Sequence, residues 1–332
     1  MLNISAQTGK IIKILLCLGV LSTGSAQLQT AYTFAATEDA PALAATGKEG
    51  PAAPKELRNF AARAIEQLSQ AEPFTGWAHA DTVIEPLGPG THSWLVTVRP
   101  RASAPADNPA AGYLIISATP SAGEYKLVEY GLGPHSVFAA PALESGLAGL
   151  GLPSRGASGH TVTPVYGGPV LAEWMITLAG KPGTVHFLDA VTGELLPETT
   201  GSWNRQAARY VPPTEAAGSG QSALKAGETV RLAEPFDPYG NILWMAGDAF
   251  DLSQSNFEQL LKANRRLVFA ATGADRTYNI PLPIYGYQKW NDETGSGISA
   301  IYALTGTKNS GRWIALGALE DSGDFVVYPE TP

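Results

Sequence analysis

The sequence predicts an α+β chain in two units, with helices packed on antiparallel sheets. Three observations lead there. Thirty-six glycines and 25 prolines among 332 residues demand many turns, which suits short strands better than a helical bundle. One strongly amphipathic segment, Lys55 to Gln70, precedes a series of short alternating runs. Pro212 to Gly227 (PPTEAAGSGQSALKAG) is small, polar and rich in Gly and Pro, the composition of a linker that divides the chain.

The N-terminus comes first in order. Lys10 and Lys13 precede an apolar core, Ile14 to Leu21, and a small-residue exit, STGSA. This is the pattern of a secretory signal peptide, cleaved after Ala26 or near Ala35. Read more generously from Ile11 through Ala36, the same stretch would serve as an uncleaved anchor. Cys17 is the only cysteine and follows Leu16. A lipoprotein acceptor needs a small residue there, so lipidation is not expected. Losing residues 1–35 removes every thiol, which excludes disulfides, cysteine metal sites and a cysteine nucleophile. It also removes two lysines and no acid, taking the formal charge from −8 to −10. No basic stripe for nucleic acid is visible.

Residues 36–54 read as a flexible tether rich in Ala, Pro and Gly. In Lys55 to Gln70, Leu57, Phe60, Ala61, Ala64, Ile65 and Leu68 recur at helical spacing. Strands are expected at Trp77 to Glu85, His92 to Arg99, Tyr113 to Ala118 and Tyr125 to Tyr130. One helix laid on a four-stranded antiparallel sheet is the simplest packing for that order. Val137 to Leu150 reads as a helix weakened by glycines. Val170 to Leu178 and the run around Val185 to Phe187 form a hairpin across Gly180–Gly183, with the first strand central because both its faces are apolar.

Beyond the linker, Ile242 to Met245 reads as a short strand. Ser255 to Glu258 matches a capping box for a helix ending near Asn264. Strands follow at Leu267 to Ala271, Tyr278 to Tyr287, Ile298 to Leu304, Arg312 to Leu319 and Phe325 to Tyr328. Pro281 and Pro283 put the second of these at an edge or bulge.

Glu173 to Pro197 (EWMITLAGKPGTVHFLDAVTGELLP) resembles the end of a PepSY module, found in peptidase propeptides and cell-envelope proteins. Trp174 on the first strand and Asp189-Ala190-Val191-Thr192-Gly193-Glu194 closing the second carry the likeness. Asp189 and Thr192 are suited to capping the turn through side-chain to backbone bonds, and Gly193 to a left-handed conformation. Trp174 is read as core. Ala111 to Gly133 is similar to the pro-segments of streptopain-type secreted peptidases. Without a cysteine in the mature chain, that likeness is to the pro-segment and not to the enzyme. The resemblance implies a PepSY-like, cystatin-like α+β domain over 55–205. A linker over 206–227 and a C-terminal α+β domain over 228–332 complete the expected organisation.

Catalytic patterns are sparse. The histidines at 79, 92, 135, 160 and 186 lack zinc spacing. Ser222-Ala223-Leu224-Lys225 matches S-x-x-K but lies in linker sequence without partner motifs. Gly149 to Gly156 lacks Rossmann and P-loop spacing. Glu320, Asp321 and Asp324 lack the EF-hand ligand pattern. Accordingly no catalytic residue, cofactor or metal is assigned.

The expected function is that of a non-catalytic exported binding protein, an inhibitor or regulator of a secreted peptidase. In this mode an exposed sheet edge pairs with an extended chain. The alternatives are a cell-envelope structural or wall-binding protein, and a hydrolase whose carboxylate pair the spacing does not reveal. The expected partner is a secreted peptidase or an envelope component, with no nucleic acid, and a membrane only through an uncleaved signal. The expected location is secreted or cell-surface.

Overall fold

A computed structural model describes residues 53–329 apart from 90, 100–110, 122, 134–136, 182, 220–223, 251, 273–276, 293–298, 308–309 and 321. The signal segment 1–35, nearly all of the 36–54 tether, and Ser222 and Asp321 lie outside the described residues. Those described belong to one compact unit, Ala45–Pro332.

The chain opens with α1 (Lys55–Leu68), then β1 (Asp81–Pro86), β2 (Ser93–Arg99), β3 (Gly112–Ala118) and β4 (Tyr125–Leu132). Next come α2 (Ala140–Gly149), β5 (His160–Tyr166), β6 (Ala172–Leu178), β7 (Val185–Asp189), β8 (Leu195–Leu196) and α3 (Thr200–Ala207). The second half holds β9 (Leu224–Arg231), α4 (Phe257–Asn264), β10 (Leu267–Ala271), β11 (Pro281–Ile284) and β12 (Gly286–Asp292). It closes with β13 (Ser299–Thr307), β14 (Ser310–Ala315), α5 (Leu316–Glu320) and β15 (Gly323–Val327).

The α+β expectation is overturned. Among the described residues, fifteen strands form three antiparallel sheets, and the helices are few and short, so the fold is mainly β. The largest sheet has eight strands in the order β1-β2-β3-β4-β14-β13-β12-β9. Its first four come from the N-terminal half and its last four from the C-terminal half, joined where Ile314 opposes Glu129 and Arg312 opposes Gly131.

One face of this sheet is covered by α1. The α1 stripe of Leu57, Phe60, Ile65 and Leu68 is buried against Val96, Leu114, Leu127 and Trp313, on the order of 2 kcal/mol for each large side chain. Phe74, Tyr130 and Trp313 extend that core as edge-on and stacked rings. Six of the seven tryptophans are buried.

The other face is covered mostly by sheets, which is why the helix-on-sheet expectation fails. Over β2–β4 lie α2 and a four-stranded sheet, β5-β6-β7-β8, with Trp174, Ile176 and Leu188 meeting Leu95, Ile115 and Val128. Over β12–β14 lie α4 and a three-stranded sheet, β11-β10-β15, with Phe257, Phe269 and Phe325 meeting Tyr287, Ile301 and Ile314. The strand β6 is internal to its sheet, as its two apolar faces require.

Local differences have local causes. Ile242–Ala246 is a 3-10 helix rather than a strand, started by Asn241, whose side chain accepts from the Leu243 N–H at 3.1 Å. At α4, Asn256 Oδ1 accepts from the Ser253 N–H at 2.8 Å, in place of a Ser255–Glu258 capping box. The strand β5 forms despite its internal Pro164 because it sits at a sheet edge.

Candidate functional site

Two sheets covering one face of a third leave a gap between them. That gap is a cleft of 690 Å³. Tyr113 of β3, Thr305 and Thr307 of β13 and Arg312 of β14 form its floor, and Pro169, Val170 and Ala172 stand on one side. Ile280 to Pro283 stand on the other, with Glu234 to Pro238 as a third wall.

Beneath the floor lies a buried ion pair. Arg312 Nε donates to Glu129 Oε1 at 3.2 Å and Nη2 to Oε2 at 2.5 Å, while Nη2 also reaches the Pro169 carbonyl at 2.7 Å. The Tyr113 and Tyr166 hydroxyls donate to the same carboxylate at 3.2 and 3.3 Å. Four donors therefore satisfy a side chain with no solvent exposure, the condition under which a buried charge is tolerated. Burial pushes both tyrosine pKa values well up, and the Glu129 charge adds to that. Burial opposes the Arg312 charge, yet Glu129 and the two tyrosines move its pKa upward.

A bulge in β4 aims Glu129 into this network. Ile115 pairs with Glu129 but Ile116 pairs with Leu127, leaving Val128 unpaired. The extra residue reverses the alternation. Leu127 and Tyr130 face α1, whereas Val128 faces the covering sheet and Glu129 turns toward Arg312.

The turn resembling PepSY forms one jaw of the cleft through Asp189, Val191 and Thr192. Asp189 Oδ1 accepts from the N–H groups of Val191 and Thr192 at 2.9 and 2.7 Å, and Thr192 Oγ1 accepts from the Glu194 N–H at 3.3 Å. Gly193 has φ +75°, and a Cβ there would stand 2.0 Å from the Ala142 carbonyl oxygen of α2. Trp174 is buried edge-on against Phe138 at 5.2 Å and does not line the cleft.

Opposite this jaw, β11 is an edge strand. The Ala271 N–H donates to the Ile280 carbonyl, and Pro281 and Pro283 oppose Ala270 and Val268. By the alternation of an antiparallel ladder, the backbone of these two prolines faces outward. Proline has no N–H. This edge therefore presents carbonyl acceptors and no donors at those positions, which blocks the strand addition expected of an exposed edge.

Outside the cleft, Tyr278 Oη lies 3.2 Å from Glu173 Oε1 and 3.0 Å from Glu198 Oε1. Ser202 and Gln206 also donate to Glu198. Among the described residues, no cluster of three or more His, Cys, Asp or Glu could hold a metal, and no helix is long and apolar enough to cross a membrane.

Sequence reasoning gave Asp189, Thr192 and Gly193 as a structural turn and Pro281 and Pro283 as markers of an edge or bulge, and it placed neither these nor Glu129, Arg312 and Glu234–Pro238 in a site. The available signal was a charged residue inside each of two apolar strand runs, Glu129 in YKLVEYGL and Arg312 in SGRWIA. Compared with known proteins, the chain matches no family model, no curated protein and no solved structure.

Proposed function

We propose that this protein is a non-catalytic exported binding protein that holds a segment of a partner chain in the cleft, regulating a secreted peptidase. The cleft itself carries the reading. Its 690 Å³ falls within the size of ligand sites, and its walls are mostly apolar. Five prolines (Pro169, Pro235, Pro238, Pro281 and Pro283) line it, fixing the local backbone before any partner arrives. The PepSY-like hairpin supplies one jaw, which connects the cleft to the kind of module found in peptidase propeptides. Export rests on the N-terminal sequence pattern.

The test uses the chain from residue 36 onward against the peptidases secreted by its host. A stable complex on size exclusion with slowed hydrolysis is expected for at least one, and Leu282→Trp, which narrows the cleft, should weaken both. No complex across the panel would overturn the proposal.

A further inference from the structure

The polar groups around the cleft are unbalanced. Among the described residues, Asp189, Glu234 and Asp237 line it, and the one lining cation, Arg312, is already neutralised by Glu129 beneath the floor. The outward carbonyls of Pro281 and Pro283 add acceptors without donors. The remaining side-chain donors among the described lining residues are the hydroxyls of Thr192, Thr305, Thr307 and Ser310, and Arg312 Nη1, which the bonds to Glu129 and Pro169 leave unused.

The apolar lining also continues outside. From Asp237 and Pro238 at the mouth, the chain runs into Tyr239, Ile242, Leu243 and Met245, which are 64, 57, 67 and 65% exposed. Val191, 53% exposed, projects from the facing jaw. The two sides border one cleft, since Val191 and Thr192 line it together with Asp237 and Pro238. Exposed apolar side chains that follow the cleft wall in the chain, beside the cleft's carboxylates, call for an elongated occupant with an apolar side and positive charge. A second copy of this chain, with formal charge −8, and an anionic membrane surface would both be repelled.

We infer that the cleft takes an extended peptide segment carrying Lys or Arg among apolar side chains, and that it takes it without adding a strand to β11. This rests on the cleft being the binding site proposed above and names its ligand chemistry. Apolar side chains of the peptide enter between Val170 and Leu282. Its basic groups meet Glu234, Asp237 and Asp189, and its carbonyls meet the floor hydroxyls and Arg312 Nη1. Backbone pairing along β11 is excluded by the prolines, so selectivity comes from side chains.

Three peptides of one apolar pattern, with Lys, Gln or Glu at the same positions, separate this inference from the proposal beneath it. Each is titrated by fluorescence anisotropy at low and high salt, alongside the neutral dye Nile red. The Lys peptide should bind about tenfold tighter than the Glu peptide at low salt, with the gap narrowing as salt screens the rim. Glu234→Lys, at an exposed position, should narrow it further while leaving the thermal midpoint unchanged. Saturable Nile red binding without a Lys preference would overturn the inference and leave the cleft reading standing. A Lys preference untouched by Glu234→Lys would overturn it too. Loss of saturable binding for every probe would overturn both.

Discussion

Glu129 and Arg312 are 183 residues apart in sequence and meet through two parallel hydrogen bonds at the seam between the two halves of the largest sheet. The pair anchors β4 to β14 and, through the Pro169 carbonyl, the covering sheet to both. Removing one partner strands a buried charge. Glu129→Ala should cost about 3–5 kcal/mol in urea unfolding. The double variant Glu129→Leu/Arg312→Met should cost clearly less than either single loss, because no charge is left unpaired.

Two of the three glycines of the PepSY-like hairpin provide a matched comparison. Gly183 has φ +84° with open space around it, whereas Gly193 has φ +75° and the Ala142 carbonyl in its path. Gly183→Ala should cost about 1–2 kcal/mol, the penalty for a left-handed alanine. Gly193→Ala adds a steric clash and should cost at least about 1 kcal/mol more. Thermal unfolding monitored by near-ultraviolet circular dichroism checks the difference.

Acid stability should depend on Glu258. Lys262 at 2.6 Å, Lys289, and the Tyr287 hydroxyl at 2.7 Å hydrogen-bond its carboxylate and lower its pKa from 4.5 to about 2. A carboxyl depressed in the folded state stabilises fully above its unfolded pKa and loses that contribution as pH falls through the folded value. Stability should therefore decline between about pH 4.5 and 2, by roughly 1 kcal/mol from this partly exposed site. Glu258→Gln should flatten that part of the profile, read as urea midpoints at pH 6, 4 and 3.

The prolines of β11 make a prediction about association. Pro281→Thr/Pro283→Thr returns two outward N–H groups to an edge strand. The variant should self-associate at concentrations where the parent is monodisperse in sedimentation velocity. Unchanged sedimentation would mean that the edge is closed by something other than its missing donors.

Much of this was legible in the sequence where the signal is local. The α1 stripe, the alternation of β2 and β3, the turn chemistry of Asp189 and Gly193, and the edge placement of Pro281 and Pro283 all follow from short-range spacing. The fold class was not legible, because what covers the second face is long-range. Short runs such as His160–Tyr166 and Leu224–Arg231, the latter beginning in linker-like composition, become strands only by pairing with β6 and β12. The cleft floor was hidden for a similar reason. Strict alternation through YKLVEY puts Glu129 on the Leu127 face, and only the unpaired Val128 turns it over. A bulge leaves no mark in hydropathy.

The central claim is that the cleft between the two covering sheets holds a basic, apolar peptide. The chain from residue 36 onward lacks Cys17, the sole cysteine, so a single introduced thiol can be labelled specifically. Thr307→Cys places a bimane in the cleft, and Gln70→Cys places one at the exposed turn that follows α1, on the opposite face of the sheet. Titration with the Lys peptide should give a saturable emission shift at Thr307→Cys, with the midpoint found by anisotropy, and no shift at Gln70→Cys. A peptide that binds while Thr307→Cys stays silent would contradict the account.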